Sequence, residues 1–206
     1  MTTADTQGTG AGQAAGLILA AGAGRRYGMP KALVAYRGKL LVRRAADTLA
    51  EAGCAPTVVV LGAQAERVRA AAPDLLTTVV NPDWASGLAS SLRAGLAALA
   101  GTAATAAVVL LVDMPEVTPD AVRRIAALAA PGALAVGGYG ERRGHPVLLG
   151  RDHWTGVAAT ATGDRGARDY LRAHPETVRI VPVGDVAGCR DLDRPSDAAG
   201  GPIHGG

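Results

Sequence analysis

Apolar runs alternate with amphipathic stretches along most of this chain, and that rhythm predicts its elements. Residues 15–20 (AGLILA) form a short continuous apolar run, the pattern of a strand buried on both faces. Residues 40–52 read as a helix that Gly53 stops, 57–61 (TVVVL) as a second buried strand, and 64–72 as a second helix. A third strand is expected over 75–80, ending in the turn pair Asn81-Pro82. Residues 86–100 are helical, with Leu88, Leu92, Leu96 and Leu99 at spacings of three and four. Residues 106–112 (AAVVLLV) carry the most strongly buried strand pattern, halted by Asp113-Met114-Pro115. Thr118 then caps a helix to about residue 130, with Pro119 at its first position.

Strands alternating with helices predict right-handed β-α-β units. The expected fold is α/β, with a mostly parallel central sheet and helices on both faces. After residues 133–137 the rhythm changes. Residues 139–149 are rich in glycine and predict a short antiparallel excursion, followed by a helix over 164–173 and a last strand over 178–183. Residues 1–13 and 200–206 are expected to be flexible tails around a single domain spanning 14–199. No internal repeat or linker divides that span.

Composition narrows the picture. A chain of 206 residues, 49% hydrophobic and 19% charged, supports a sizeable core and excludes a disordered class. Phe is absent and aromatics amount to 3%, so the core must be aliphatic. The net charge of +3, without a Lys/Arg run, suits a small anionic ligand and gives no nucleic-acid surface. Cys54 and Cys189 stand far apart outside any CxxC arrangement, as expected of free thiols in a reducing cytosol. The opening residues lack a basic leader, and the first apolar run is too short to span a bilayer. A cytoplasmic protein with no membrane partner is therefore expected.

The candidate chemistry begins at residues 17–31, LILAAGAGRRYGMPK. A buried strand breaks into a small-residue turn, where Gly22 and Gly24 tolerate left-handed angles and let main-chain N–H groups approach an anion. Arg25, Arg26 and Lys31 add positive charge, so the stretch reads as a triphosphate cradle; an ordinary strand-to-helix turn is the competing reading. A Walker A loop is excluded because Met29 and Pro30 follow Gly28. A dinucleotide fingerprint is excluded because Tyr27 stands where its third glycine belongs, and Leu61-Gly62 stands where an acidic residue would.

Asp113 lies at the carboxyl edge of the most buried strand, where α/β sheets bind ligands and where a lone carboxylate beside a triphosphate suits Mg²⁺. A capping or loop aspartate is the alternative. Asp191 and Asp193 follow the last strand and offer a second carboxylate; only one of them is expected to reach the metal. Asn81, Ser86, Gly87, Ser90 and Ser91 sit at a helix start and supply polar groups for a base or ribose, or an ordinary cap. His145, in Gly144-His145-Pro146, is a ligand contact or a structural histidine, having no carboxylate or cysteine partner close in sequence.

These stretches resemble the molybdopterin nucleotidyltransferases, and among them the molybdenum cofactor cytidylyltransferases. LAAGAGRRYGMPK resembles their LAAGxSxRMGxPK signature, and NPDWASGLASSLRAGL their NPxWxxGMSxSLxxGL. LLVDMP is similar to a metal-binding DQP or DMP, while GHPVLL, TGDRGARDYL and DLDRPSD resemble GHPVLF, GDxGAR and DxDTPED, in the same order. The resemblance implies a three-layer, Rossmann-like nucleotidyltransferase (GT-A-like) fold and transfer of a nucleotidyl group from an NTP to the phosphate of molybdopterin or its molybdenum form. Pyrophosphate would leave, Mg²⁺ would be the cofactor, and a molybdoenzyme would be the recipient of the product. It implies catalysis by Arg26, Lys31 and Asp113, with metal held by Asp113 and Asp191 or Asp193. Nucleotide binding would involve Leu19, Ala20, Ala21, Gly22, Ala23, Gly24, Arg25, Arg26, Lys31, Gly62, Asn81, Ser86, Gly87, Ser90 and Ser91. Gly144, His145, Pro146, Asp164 and Arg168 would line the acceptor side.

The Ala20-Ala21-Gly22 form resembles the cytidylyltransferases, so CTP is favoured; GTP on molybdopterin or another phosphorylated small molecule is the alternative. A non-catalytic nucleotide-binding chaperone for the cofactor is the alternative from another class, and a nicotinamide-dependent oxidoreductase is disfavoured by the failed fingerprint. Tyr27, Gly24, Leu88-Ala89 and Arg194 depart from the family's usual Met, Ser, Met-Ser and Thr.

Overall fold

The computed structural model describes residues 12–75, 77–194 and 197. In chain order, β1 (Ala14–Ala20) leads through a 3-10 turn (Lys31–Leu33) and a small hairpin of β2 (Ala35–Tyr36) and β3 (Lys39–Leu40) into α1 (Leu41–Glu51). Then come β4 (Thr57–Leu61), α2 (Ala65–Ala71), β5 (Thr78–Val80), α3 (Leu88–Leu99), β6 (Ala106–Leu111) and α4 (Pro119–Ala126). The chain continues with β7 (Leu134–Tyr139), β8 (Arg142–Gly150), α5 (Trp154–Thr160), α6 (Arg168–Ala173) and β9 (Val178–Pro182).

Seven strands form one sheet in the order β5-β4-β1-β6-β8-β7-β9. Every neighbouring pair is parallel except those made by β8, which runs antiparallel to both β6 and β7. The two-residue period of the strands sorts the core into two layers. Ile18, Val59, Val108 and Leu110 pack with Leu41, Leu49, Val122 and Ile125 of α1 and α4. Leu17, Val58, Val60 and Val109 pack on the other face with Leu92, Leu96 and Val157 of α3 and α5. The expected mostly parallel sheet, covered on both faces, is what the chain forms. Among the described residues, no helix is long and apolar enough to cross a membrane.

Several elements differ from the sequence expectation. The antiparallel excursion is a nine-residue strand in the interior of the sheet. The helix over 164–173 is broken: Gly166, at φ +53°, separates a 3-10 turn (Gly163–Arg165) from α6. α4 closes at Ala126, short of residue 130, with Ala127 as its C-cap. β5 begins at Thr78, three residues later than expected, and pairs with β4 over three positions. The hairpin β2–β3 and helix α5 are additions. The proposed terminal tails fall outside the described residues, apart from Gly12 and Gln13, whose backbones bond to Ala129 and Thr105.

Both ends of helix α3 are held by one later stretch of chain. The Leu88 N–H donates to the Asp164 carboxylate at 3.2 Å. At the other end the Arg151 guanidinium donates to the carbonyls of Ala100 (3.1 Å) and Ala104 (2.8 Å) and lies 4.8 Å from the Trp154 ring centre. A negative group at the helix start and a positive one at its end both complement the helix dipole.

Candidate active site

The loop after β1 turns on Gly24, which sits at φ +60° and accepts hydrogen bonds from the N–H groups of Tyr27 and Gly28, both at 2.9 Å. A Cβ at Gly24 would overlap the Met29 carbonyl, whereas one at Gly22 would meet open space. Only one of the two glycines therefore uses the left-handed region. Ala20 and Ala21 are buried, Gly22, Arg25 and Arg26 are exposed, and Ala23 and Gly24 are half-buried.

The 3-10 turn after this loop delivers Lys31 to two carboxylates from distant parts of the sequence. Its Nζ lies 2.6 Å from Oδ2 of Asp113 and 2.7 Å from Oδ1 of Asp193. Burial alone would lower the Lys31 pKa, but hydrogen bonds and charge from Asp113 and Asp193 outweigh it and raise the pKa above the ordinary lysine value. The same lysine, first through its hydrogen bond and then through its charge, holds Asp193 below the usual carboxylate range. Arg26 stands 4.0 Å from Asp193 in an exposed pair.

The segment carrying Asp191 and Asp193 is anchored by the Leu192 N–H, which donates to the Asp113 carbonyl at 2.9 Å. Leu192 is buried and turned into the core, so the residues on either side of it both face the Asp113 edge. The two aspartates thus stand on the same side of this segment. They divide the work: Asp193 meets Lys31, and Asp191 faces the neighbouring cavity. Desolvation, then the charges of Asp113 and Asp193, raise the Asp191 pKa, as expected where carboxylates crowd.

Oδ1 of Asp113 is buried and has no hydrogen-bond partner. Among the described residues no three His, Cys, Asp or Glu side chains form a complete metal site by themselves. What is present is a pair of crowded carboxylates with one unsatisfied oxygen. That donor set fits a hard divalent cation that takes its other ligands from phosphate and water.

On the other side of the loop, Gly62 is closely packed: a Cβ there would lie 2.5 Å from Cβ of Trp84 and 2.7 Å from the Ala21 carbonyl oxygen. Asn81, Ser90 and Ser91 are buried and bonded to one another, Asn81 Nδ2 donating to the serine hydroxyls at 2.8 and 3.1 Å. Asn81 Oδ1 accepts from the Asp83 N–H at 3.0 Å. Their polar atoms hold the loop before α3. Ser86, by contrast, is exposed, with its hydroxyl on the Asp83 carbonyl at 2.7 Å. Gly87, at φ +112°, lies against Gly163 and Asp164, where a Cβ would be 2.6 Å from the Gly163 carbonyl.

A cavity of about 530 Å³ opens beside the carboxylates, between the sheet, α3 and α6. Its apolar lining includes Leu19, Leu92, Val109, Leu111 and Leu149, and its polar lining includes Arg142, Arg143, His145, Asp164, Arg168 and Asp191. Gly144, His145, Asp164 and Arg168 thus come together as the sequence reading expected, while Pro146 is buried and lies outside the lining. Of the residues assigned to the nucleotide, only Leu19 reaches this cavity; the loop and Lys31 lie outside its lining. The sequence reading missed Leu92, Val109, Leu171, Arg142, Arg143 and Cys189. The apolar ones carry no signal that distinguishes them from core. The Arg142-Arg143 pair beside Gly144-His145 was a readable one.

β8 gives His145 its place. Val136 pairs with Val147 but Gly137 pairs with Gly144, so His145 and Pro146 bulge out of the ladder. On its β8 side, β6 has no ladder partner beyond Val109, and the His145 ring takes over: Nδ1 lies 3.0 Å from the Val109 carbonyl. Tyr139 Oη donates to the His145 carbonyl at 2.6 Å, closing the bulge. Burial lowers the His145 pKa, with Val109 and Asp113 opposing and Arg168 assisting, so the neutral ring is favoured.

Comparison with known proteins gives a consistent picture. The family model for a MobA-like NTP transferase domain matches residues 16–178. The nicotine blue oxidoreductase of Paenarthrobacter nicotinovorans is 40% identical over 86% of this chain and 91% of its own. The molybdenum cofactor guanylyltransferase of Rhodobacter capsulatus is 37% identical over 68% of this chain and 65% of its own. Among solved structures, the manganese complex of Rv0371C from Mycobacterium tuberculosis H37Rv superposes with a TM-score of 0.73 at 33% identity, covering 91% of this chain and 96% of that one.

Proposed function

Because the chain belongs to the family of MobA-like NTP transferase domains, we propose that it joins an NTP, CTP by preference, to the phosphate of molybdopterin or its molybdenum form and releases pyrophosphate. The observation that carries this reading is the Asp113 carboxylate. One oxygen is on Lys31 and the other is buried without a partner, beside Asp191, which lines the neighbouring cavity of about 530 Å³.

Asp113 and Asp191 would hold Mg²⁺, which would supply positive charge to offset that of the phosphates. The chain's own residues do the rest. Main-chain N–H groups of 22–25 face the triphosphate, and Lys31 exchanges its carboxylate partners for phosphate oxygens, joined by Arg26. Ala20, Ala21 and Gly62 form the wall against the base, where the Ala21 methyl narrows the space and favours a pyrimidine. Asn81, Ser90 and Ser91 brace the loop that presents Ser86 and Gly87 to the nucleoside. An oxygen of the acceptor phosphate attacks the α-phosphorus, the bond to the bridging oxygen breaks, and pyrophosphate departs. That nucleophile is already anionic near neutral pH, so alignment and charge neutralisation carry the rate, with no obligatory base.

The test is pyrophosphate release from each of the four NTPs with Mg²⁺ and molybdopterin. Release with CTP ahead of GTP supports the full reading. Release with GTP ahead, in line with the name of the Rhodobacter relative, overturns the base choice alone, and silence with all four overturns nucleotidyl transfer to this acceptor. A second reading comes from the 40% relative named as an oxidoreductase: electron transfer to or from a substrate in the same cavity. Substrate-dependent oxidation of NADH or NADPH by the protein would establish it. The Leu61-Gly62 end of β4, packed under Trp84 and lacking an acidic residue, argues against a nicotinamide dinucleotide there.

A further inference from the structure

His145 is a half-buried titratable group that the nucleotidyl-transfer chemistry leaves unused, and its hydrogen bonding fixes what it can do. A carbonyl oxygen can only accept, so the contact with Val109 at 3.0 Å requires the proton on Nδ1. In the neutral ring, favoured by burial, Nε2 then carries a lone pair and no hydrogen. Nε2 has no hydrogen-bond partner among the described residues, and the residue lines the cavity.

Around it the cavity is short of other uncharged acceptors on side chains: its sheet face is Leu19, Val109, Leu111 and Leu149. At the outer edge Arg142, Arg143 and Arg168 are exposed, and their guanidinium groups make no hydrogen bond or ion pair among the described residues. We propose that His145 is a specificity-determining residue whose Nε2 accepts a hydrogen bond from an N–H or O–H group on a flat, anionic heterocyclic acceptor, while the apolar sheet face carries the ring and the free arginines take its negative charge. The Val109 carbonyl is the positioning group, since it sets the tautomer. The inference rests on reading this cavity as the acceptor site, but not on turnover.

The test uses the full chain and two flat, bicyclic monoanions that differ in donors: pterin-6-carboxylate, which has N–H groups, and 2-naphthoate, which has none. Calorimetry should show the pterin binding more tightly to the wild type. His145→Phe should lower the pterin-to-naphthoate preference about tenfold, the scale of one hydrogen bond, and His145→Gln, which keeps an acceptor, should retain most of it. Nitrogen-15 NMR of the wild type, independent of any variant, should show protonated Nδ1 and bare Nε2, with the Nε2 resonance moving on pterin addition. An unchanged preference in His145→Phe, a protonated Nε2, an unmoved resonance, or failure of the pterin to bind each overturns the proposal. Failure of nucleotidyl transfer would instead appear in pyrophosphate release, leaving these binding readouts intact.

Discussion

Lys31 owes its position to charge it does not carry itself: Asp113 and Asp193 come from distant parts of the sequence and hold it between them. Lys31→Ala and Asp113→Ala are each expected to lower kcat about a hundredfold or more, the scale of losing one well-placed charge contact. Steady-state turnover on the preferred NTP checks this. The Lys31–Asp193 pair also has a pH signature. Asp193 is held below its ordinary 3.8, so its contribution is present above that value and lost as pH falls through the lower, folded-state pKa. The urea midpoints of wild type and Asp193→Asn should therefore differ at pH 7 and converge toward pH 3. Cysteine chemistry separates the two thiols. Burial pushes Cys54 up to about 11, while Cys189 is half-buried beside the cavity. A disulfide reagent at pH 8 should titrate one thiol in the native protein and both in denaturant.

Single elements show where a side chain matters through the segment it holds. Gly24→Ala places a methyl on the Met29 carbonyl at a positive φ and should cost about 2 kcal/mol or more. Gly22→Ala meets open space and should stay within about 0.5 kcal/mol in the same urea titration. Asp164→Ala removes the side chain bonded to the start of α3 and should cost about 1 kcal/mol, with Asp164→Asn recovering most of it. That residue also shows how far the sequence can be read. Asp164 is expected on the acceptor side, and it does line the cavity, but its bond to Leu88 joins segments far apart in the chain and no local pattern announces it. The strands are legible because a parallel sheet covered on both faces writes itself as runs such as TVVVL, and β4 spans the expected residues. The Gly24 turn, the Lys31 charge and the Asp113 edge are legible for the same reason: each is local. Asn81, Ser90 and Ser91 read as one polar group, yet which of their atoms turn inward depends on packing that composition does not encode.

For the whole molecule, the sheet and the cavity are coupled through β8, which closes the gap between β6 and β7 and lifts His145 out of register. Ligands that draw the loop after β1, the Asp113 edge and the cavity wall together should stabilise the entire domain. CTP with Mg²⁺ should raise Tm more than CTP alone, and the difference should vanish in Asp113→Ala, as scanning fluorimetry would record. β8 has a further consequence during synthesis. β6 emerges from the ribosome well before its neighbour, and until residue 150 has been made its outer edge presents bare N–H and C=O groups along an apolar run. During that interval the nascent chain carries an unpaired apolar edge of the kind a chaperone covers.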